Sequence, residues 1–156
     1  MKYLLIALLF LLSACSIKNY EITTPKILTL KTQKIKFSDI AYLRHTDDSI
    51  ELELFIAGHV FKRIHINHLI CIDDEGCMRK SSFNTEYLNA AYPETLLQNV
   101  LLGRKIYNGE AVLKKPDGFK QNIQTKELSI EYVVNSHQIY FKDKKNHILI
   151  KIKELK

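Results

Sequence analysis

The chain has 156 residues, with 23 Lys and Arg against 17 Asp and Glu for a formal net charge of +6, and three cysteines. That length sets one domain, of a size that buries about two thirds of its unfolded surface. The basic residues are spread out, densest at Lys142-Asp143-Lys144-Lys145 and from Lys151 to Lys156; they read as solvated turns and strand edges, where lysines discourage association between sheets.

Residues 1–14 open with Lys2 and continue through an uncharged apolar stretch from Tyr3 to Leu12. A membrane-spanning helix needs about 20 apolar residues, so this segment is too short to cross and reads as an export signal ahead of the small residues Ser13 and Ala14. Leu12-Ser13-Ala14-Cys15 resembles the bacterial lipobox. That resemblance implies diacylglycerol on the Cys15 thiol, cleavage before Cys15, and residues 15–25 as a lipidated tether. Two or more acyl chains anchor a protein stably. Ser16 stands where an Asp would favour retention at the inner membrane, so the expected location is the periplasmic side of the outer membrane. Export also argues against nucleic acid as a partner, despite the basic charge.

From residue 26 onward the dominant period is two. Ile50, Leu52, Leu54 and Ile56 alternate with Glu51, Glu53 and Phe55, Gly58-His59 reads as a turn, and Val60, Lys62, Ile64 and Ile66 alternate in a return strand; the pair is a hairpin. Cys71 and Cys77 then enclose the acidic turn Ile72-Asp73-Asp74-Glu75-Gly76. With Cys15 lipidated, these two thiols are expected to form a disulfide in an oxidising compartment. A redox pair more usually has two intervening residues, and the loop lacks the spaced ligand series of a calcium site.

The middle of the chain changes period. Asn84 is placed to cap a short helix through Leu88. Pro93, Leu96, Leu97, Val100 and Leu101 fall on one helical face, with Pro93 suited to the first turn and Gly103 placed to end it. Helical insertion is therefore expected near residues 84–103. Leu128, Ile130, Tyr132 and Val134, then Gln138 to Lys142, then Ile148, Ile150 and Ile152 read as three strands joined by polar turns. The expected class is α+β: one curved antiparallel sheet over residues 26–156 with a short helical lid on its concave side.

The lipobox, the Tyr92-Pro93-Glu94-x-Leu96-Leu97-x-x-x-Leu101-x-Gly103 helix, Leu128-x-Ile130-x-Tyr132 and the strands from Ile139 to Ile152 together resemble the LolA/LolB-like superfamily, in particular its branch of small outer-membrane lipoproteins. The resemblance implies an unclosed antiparallel barrel with a helical lid over an apolar cavity. It also implies acyl chains or lipoproteins as cargo and a periplasmic carrier as donor. Leu96, Leu97, Val100, Leu101, Tyr132 and Phe141 are then the expected cavity lining. In that family the outer-membrane receptor uses an exposed loop with a bulky apolar residue to insert lipid into the leaflet. The hairpin turning through Ala57-Gly58-His59-Val60 reads as too tight for such a loop.

Catalysis finds little support. His65 and His68 are three apart, which on a strand sends their rings to opposite faces, so a shared metal would require a turn at Asn67. Asp47-Asp48, Asp73-Asp74 and Glu51/Glu53 read as solvated carboxylates, Ser81-Ser82 lacks a glycine-flanked elbow, and no phosphate loop or zinc pattern is present. No enzyme, cofactor or metal is expected. The alternative to acyl binding is a non-catalytic interaction module whose lid and sheet form an ordinary filled core.

Overall fold

The computed structural model describes residues 25–155; the expected signal segment and Cys15 lie outside the described residues. Eleven strands follow one another: β1 (Lys26–Lys31), β2 (Lys36–His45), β3 (Ile50–Ile56), β4 (His59–Ile66), β5 (Ile70–Ile72), β6 (Gly76–Met78), β7 (Val112–Lys115), β8 (Gly118–Gln124), β9 (Ser129–Asn135), β10 (Gln138–Asp143) and β11 (Ile148–Glu154). Their order in space is β6-β5-β4-β3-β2-β1-β11-β10-β9-β8-β7. Each half is thus a meander, the halves join where β1 pairs with β11, and β6 and β7 remain as edges. The curved antiparallel sheet does not close into a barrel. Between β6 and β7 the chain forms α1 (Lys80–Tyr87), α2 (Leu96–Leu101) and a 3-10 turn at Tyr107–Gly109, giving the α+β class expected.

The alternation of side chains builds one apolar face across the sheet. Leu30 stands opposite Phe37 and Ile150, Leu52 opposite Leu43 and Ile64, and Phe141 opposite Ile150 and Tyr132. All of these are buried in one core with the lid residues Phe83, Leu88, Leu96, Leu97, Val100 and Leu101. The other face is wet and carries cross-strand ion pairs, among them Arg44 with Glu51 and Lys120 with Glu131.

The two ends of the sheet differ. Lys26, His45, the β9–β10 turn and Glu154 lie at the near end, as the pairings of Lys26 with Glu154 and Ala41 and of Gln138 with Lys153 require. The far end holds the turns that follow β1, β3, β5, β8 and β10. The β3–β4 turn there is Ala57-Gly58, with φ of 51° and 81°, the two-residue geometry that suits a twisted hairpin. Two pairs beyond the turn the register shifts: Phe55 pairs with Val60 and Leu54 with Lys62, leaving Phe61 as a bulge. The bulge takes Val60 out of the row of Ile64 and Ile66, so the alternation expected through this strand breaks at its first residues.

Two expectations for the insertion need correction. Asn84 does not cap a helix; it lies inside α1, which starts at Lys80, and its buried side-chain amide donates to the carbonyls of Tyr92 and Pro93 at 3.1 and 3.2 Å. Pro93 precedes α2 rather than occupying its first turn: its carbonyl accepts from the Leu96 N–H at 2.9 Å in a tight turn leading into the helix. Gly103, at φ +63°, follows the end of α2 against the Val134 and Ile139 side chains, as its place in the sequence indicates. Cys71 and Cys77 face each other across β5 and β6 and form the disulfide.

Candidate functional site

All six residues expected to line a cavity, Leu96, Leu97, Val100, Leu101, Tyr132 and Phe141, lie at the interface of lid and sheet, each at most 5% exposed. They do not line one open chamber. Leu97 and Leu101 border an enclosed apolar void of about 10 Å³ with Leu28, Leu30, Thr32, Ile35, Leu52, Ile64, Phe83, Tyr87, Leu88 and Ile150. A void of that size holds at most about one water, so the space that Leu97 and Leu101 cover there is filled. Tyr132 and Phe141 instead belong to an aromatic cluster, with ring centroids 6.1 Å apart and Tyr92 on Phe141 at 5.9 Å.

The lid is held by more than aliphatic contact. From β10, the fully buried Asp143 accepts from the Tyr92 hydroxyl at 2.7 Å. From β8, the fully buried Gln121 brackets the backbone of Ile106, accepting from its N–H and donating to its carbonyl, both at 2.9 Å, and donates to the Glu110 carbonyl at 2.6 Å. From β9, the Tyr132 hydroxyl donates to the Arg104 carbonyl at 2.9 Å. Burial pushes the Tyr92 and Tyr132 hydroxyls up, in Tyr92 with the help of the Asp143 charge, so both stay protonated as donors. Burial also pushes the Asp143 carboxyl up, but hydrogen bonds from Asn146, Tyr92 and Ser129 outweigh it and hold the group below the ordinary carboxylate range. These three sheet residues grip the lid between residues 92 and 110. Among the described residues, no buried polar side chain of the sheet hydrogen-bonds to α1.

The contacts that α1 makes with the sheet ends are at the far-end rim. There the Tyr87 hydroxyl donates to Glu75, Lys62 pairs with Glu75, and Lys34 pairs with Glu86. The Lys34 ammonium also sits 5.0 Å from the Tyr87 ring centroid. Hydrogen bonds from Lys62 and Tyr87 lower the Glu75 carboxyl, and the same bond pushes Tyr87 up to about 12. These residues, with Ile35, Lys36 and Phe61, bound an open cleft of about 570 Å³. A smaller opening of about 300 Å³ lies at the near end, floored by Leu43, Leu101, Val134 and Ile152 and rimmed by the Lys26–Glu154 pair at 2.5 Å.

Beside the far-end cleft the hairpin tip is apolar and exposed: Ile56 at 46%, Val60 at 42% and Phe61 at 51%. These are three of the six large hydrophobic residues exposed among the described residues, so exposure is concentrated here rather than scattered. The turn is as tight as the sequence indicates; the bulky groups come from the strand ends and the bulge that flank it. Sequence reading misses the patch, because period two assigns Val60 to an inward row that the bulge interrupts.

The carboxylate pairs and histidines supply no reactive cluster. Glu53 is buried and bridged by Arg44 at 2.9 Å and Arg63 at 2.7 Å. Burial pushes its carboxyl up, yet the two guanidinium hydrogen bonds bring it below the ordinary range, so it stays ionised as a structural bridge. The chain does bend at residues 67–69, after His65 and through His68. Even so, among the described residues no group of three or more His, Cys, Asp or Glu side chains is placed to hold a metal, and no helix is long and apolar enough to cross a membrane. Compared with known proteins, the chain matches no protein family, no curated relative and no solved structure.

Proposed function

We propose that this chain is an outer-membrane lipoprotein, anchored through diacylglycerol on Cys15 and facing the periplasm, whose domain receives acyl chains or acylated proteins from a periplasmic carrier. The observation that carries this reading is the far end, where the exposed Ile56, Val60 and Phe61 tip adjoins a cleft bearing Lys34, Lys36 and Lys62. Apolar groups beside cations suit a leaflet, where acyl carbon and anionic head groups lie in the same order. The unclosed sheet under a helical lid is the architecture that the LolA/LolB-like resemblance implies, and it supports the same reading. The tether has room for this orientation. Nine residues lie between Cys15 and Pro25, and a chain of that length, which can reach at most roughly 3.3 Å per residue, is longer than the six residues of β1.

Native mass spectrometry of the exported chain carrying Cys15→Ser, prepared without detergent, tests the reading. Copurified lipid at about one acyl-bearing molecule per chain is expected. A second reading, a non-catalytic interaction module, is favoured by one observation, the void of only about 10 Å³ beneath the lid. A folded chain that carries no lipid and takes none up leaves that reading standing.

A further inference from the structure

The far-end cleft and the enclosed apolar void share two walls, Ile35 and Tyr87. Tyr87 is 6% exposed. Its ring is stacked on Phe83 with centroids 4.7 Å apart, and its hydroxyl is tied to Glu75 on the β5–β6 turn. Tyr87 therefore stands between the cleft and the void that Leu28, Leu30, Leu52 and Ile64 also line. The near-end opening also meets the void, through Leu101. That residue lies on α2, however, within the part of the lid that Asp143, Tyr132 and Gln121 grip from below. At the far end the polar contacts between α1 and the sheet are confined to the rim, while Asn84 holds α1 to the Tyr92 and Pro93 carbonyls of the lid itself and Phe83 and Leu88 pack in the core.

We infer that Tyr87 is the gate of an acyl port at the far end, through which a single-chain amphiphile with an acidic head enters beneath α1. The inference rests on the acyl-binding reading and adds the entry point and the kind of cargo. The cleft, at about 570 Å³, falls within the roughly 300–1,000 Å³ of small-molecule sites. Its charges are three lysines against two glutamates. Lys34 and Lys62 are paired with Glu86 and Glu75, whereas Lys36 makes no ion pair among the described residues and is left for the head group. Rotation of Tyr87 away from Glu75 opens the wall between cleft and void. The entering methylenes then take over the apolar contacts that the ring and α1 give up. Cargo coming off the leaflet at Phe61 meets the port directly, because Phe61 is itself a wall of the cleft.

Stopped-flow binding of an anthroyloxy-labelled palmitate to the exported chain carrying Cys15→Ser is the test. Tyr87→Phe removes the tie to Glu75 and keeps the ring; Glu75→Gln weakens the same tie without altering a buried residue. Both should raise the association and dissociation rates three-fold to ten-fold; Tyr87→Phe should leave the dissociation constant within two-fold of wild type, and Glu75→Gln, which also frees Lys62 for the acidic head, should lower it. Ser136→Trp, on the exposed β9–β10 turn that lines the near-end opening, should leave both rates unchanged. Wild-type rates in Tyr87→Phe and Glu75→Gln overturn the port. If Ser136→Trp slows binding in the same experiment, entry is at the near end and the acyl reading survives. A folded wild-type chain that binds no probe overturns the acyl reading and the port together.

Discussion

Replacing Asp143 by Asn probes the polar grip on the lid with almost no change in shape. The carboxylate has no exposed surface. One oxygen accepts from the Tyr92 hydroxyl at 2.7 Å and the Asn146 amide at 2.6 Å. The other accepts from the backbone N–H groups of Ser129 and Lys145, both at 3.1 Å, and of Asn146 at 3.4 Å. Every partner is a donor, so an amide must point its NH2 at donors on one side whichever way it is turned. Hydrogen bonds to a charged group contribute about 1.5–3 kcal/mol each, and a stranded buried partner costs about 1–3. Asp143→Asn should therefore cost about 3–5 kcal/mol, and Tyr92→Phe, which removes one donor of five, about 1–2. Residues in direct contact couple, so the double variant should fall short of additivity by about 1–2 kcal/mol. Urea denaturation followed by circular dichroism, on the chain carrying Cys15→Ser, measures all three.

The same carboxylate fixes a pH dependence. Its folded value is lowered, so its contribution is fully present above the unfolded carboxylate value of about 3.9 and is lost as pH falls through the folded value. The gap between wild type and Asp143→Asn should accordingly be constant from pH 7 down to about pH 5 and should narrow below about pH 4. A variant within about 0.5 kcal/mol of wild type at pH 7, a typical limit for surface changes, refutes the grip. So does a double-variant cycle that is fully additive.

Gln121→Leu should cost about 2–4 kcal/mol, because it strands the Ile106 N–H and carbonyl in the core; hydrogen exchange should show the Ile106 amide losing protection. Joint replacement of Cys71 and Cys77 by Ser should cost about 2 kcal/mol for so short a loop, read from the urea midpoint, and alkylation of the unreduced wild-type protein should find both thiols blocked. Gly118→Ala should destabilise by about 1–3 kcal/mol or more, since a Cβ there would lie 1.9 Å from the Val134 carbonyl oxygen; a thermal melt decides it. Cys15→Ser should abolish incorporation of an alkyne fatty acid in growing cells, and label retained on the variant removes the anchor.

Legible without coordinates is the part of the chain where one face meets the core. In Ile50–Ile56 and Ile148–Glu154 the inward positions are aliphatic, so period two stands out. In β2 the row Phe37, Asp39, Ala41, Leu43 contains a carboxylate and a methyl group, and the strand is hidden. β7 and β8 are harder still, because an inward position of β8 is the polar Gln121. Helical and strand spacing places the six lid and sheet residues at the right interface, but spacing says nothing of whether that interface holds a chamber. Asp143, within Lys142-Asp143-Lys144-Lys145, has the surroundings of a solvated turn. Only the fold shows that the turn delivers it beneath Tyr92. The exposed tip depends on a one-residue bulge at Phe61, which reverses side-chain direction without leaving a mark in composition.

The central claim is that the filled interior can be traded for an acyl chain. Each buried methylene contributes roughly 0.8 kcal/mol, and each lid leucine that must be displaced contributes about 1.5–3, so the proposed exchange sets comparable terms against each other and is expected to be reversible. Titration of the chain carrying Cys15→Ser with an acylated peptide that mimics a lipoprotein N-terminus measures this most directly. Saturable binding at one site per chain, absent for the same peptide without its acyl group, is the predicted result. A chain shown to be folded by circular dichroism that binds neither peptide contradicts it.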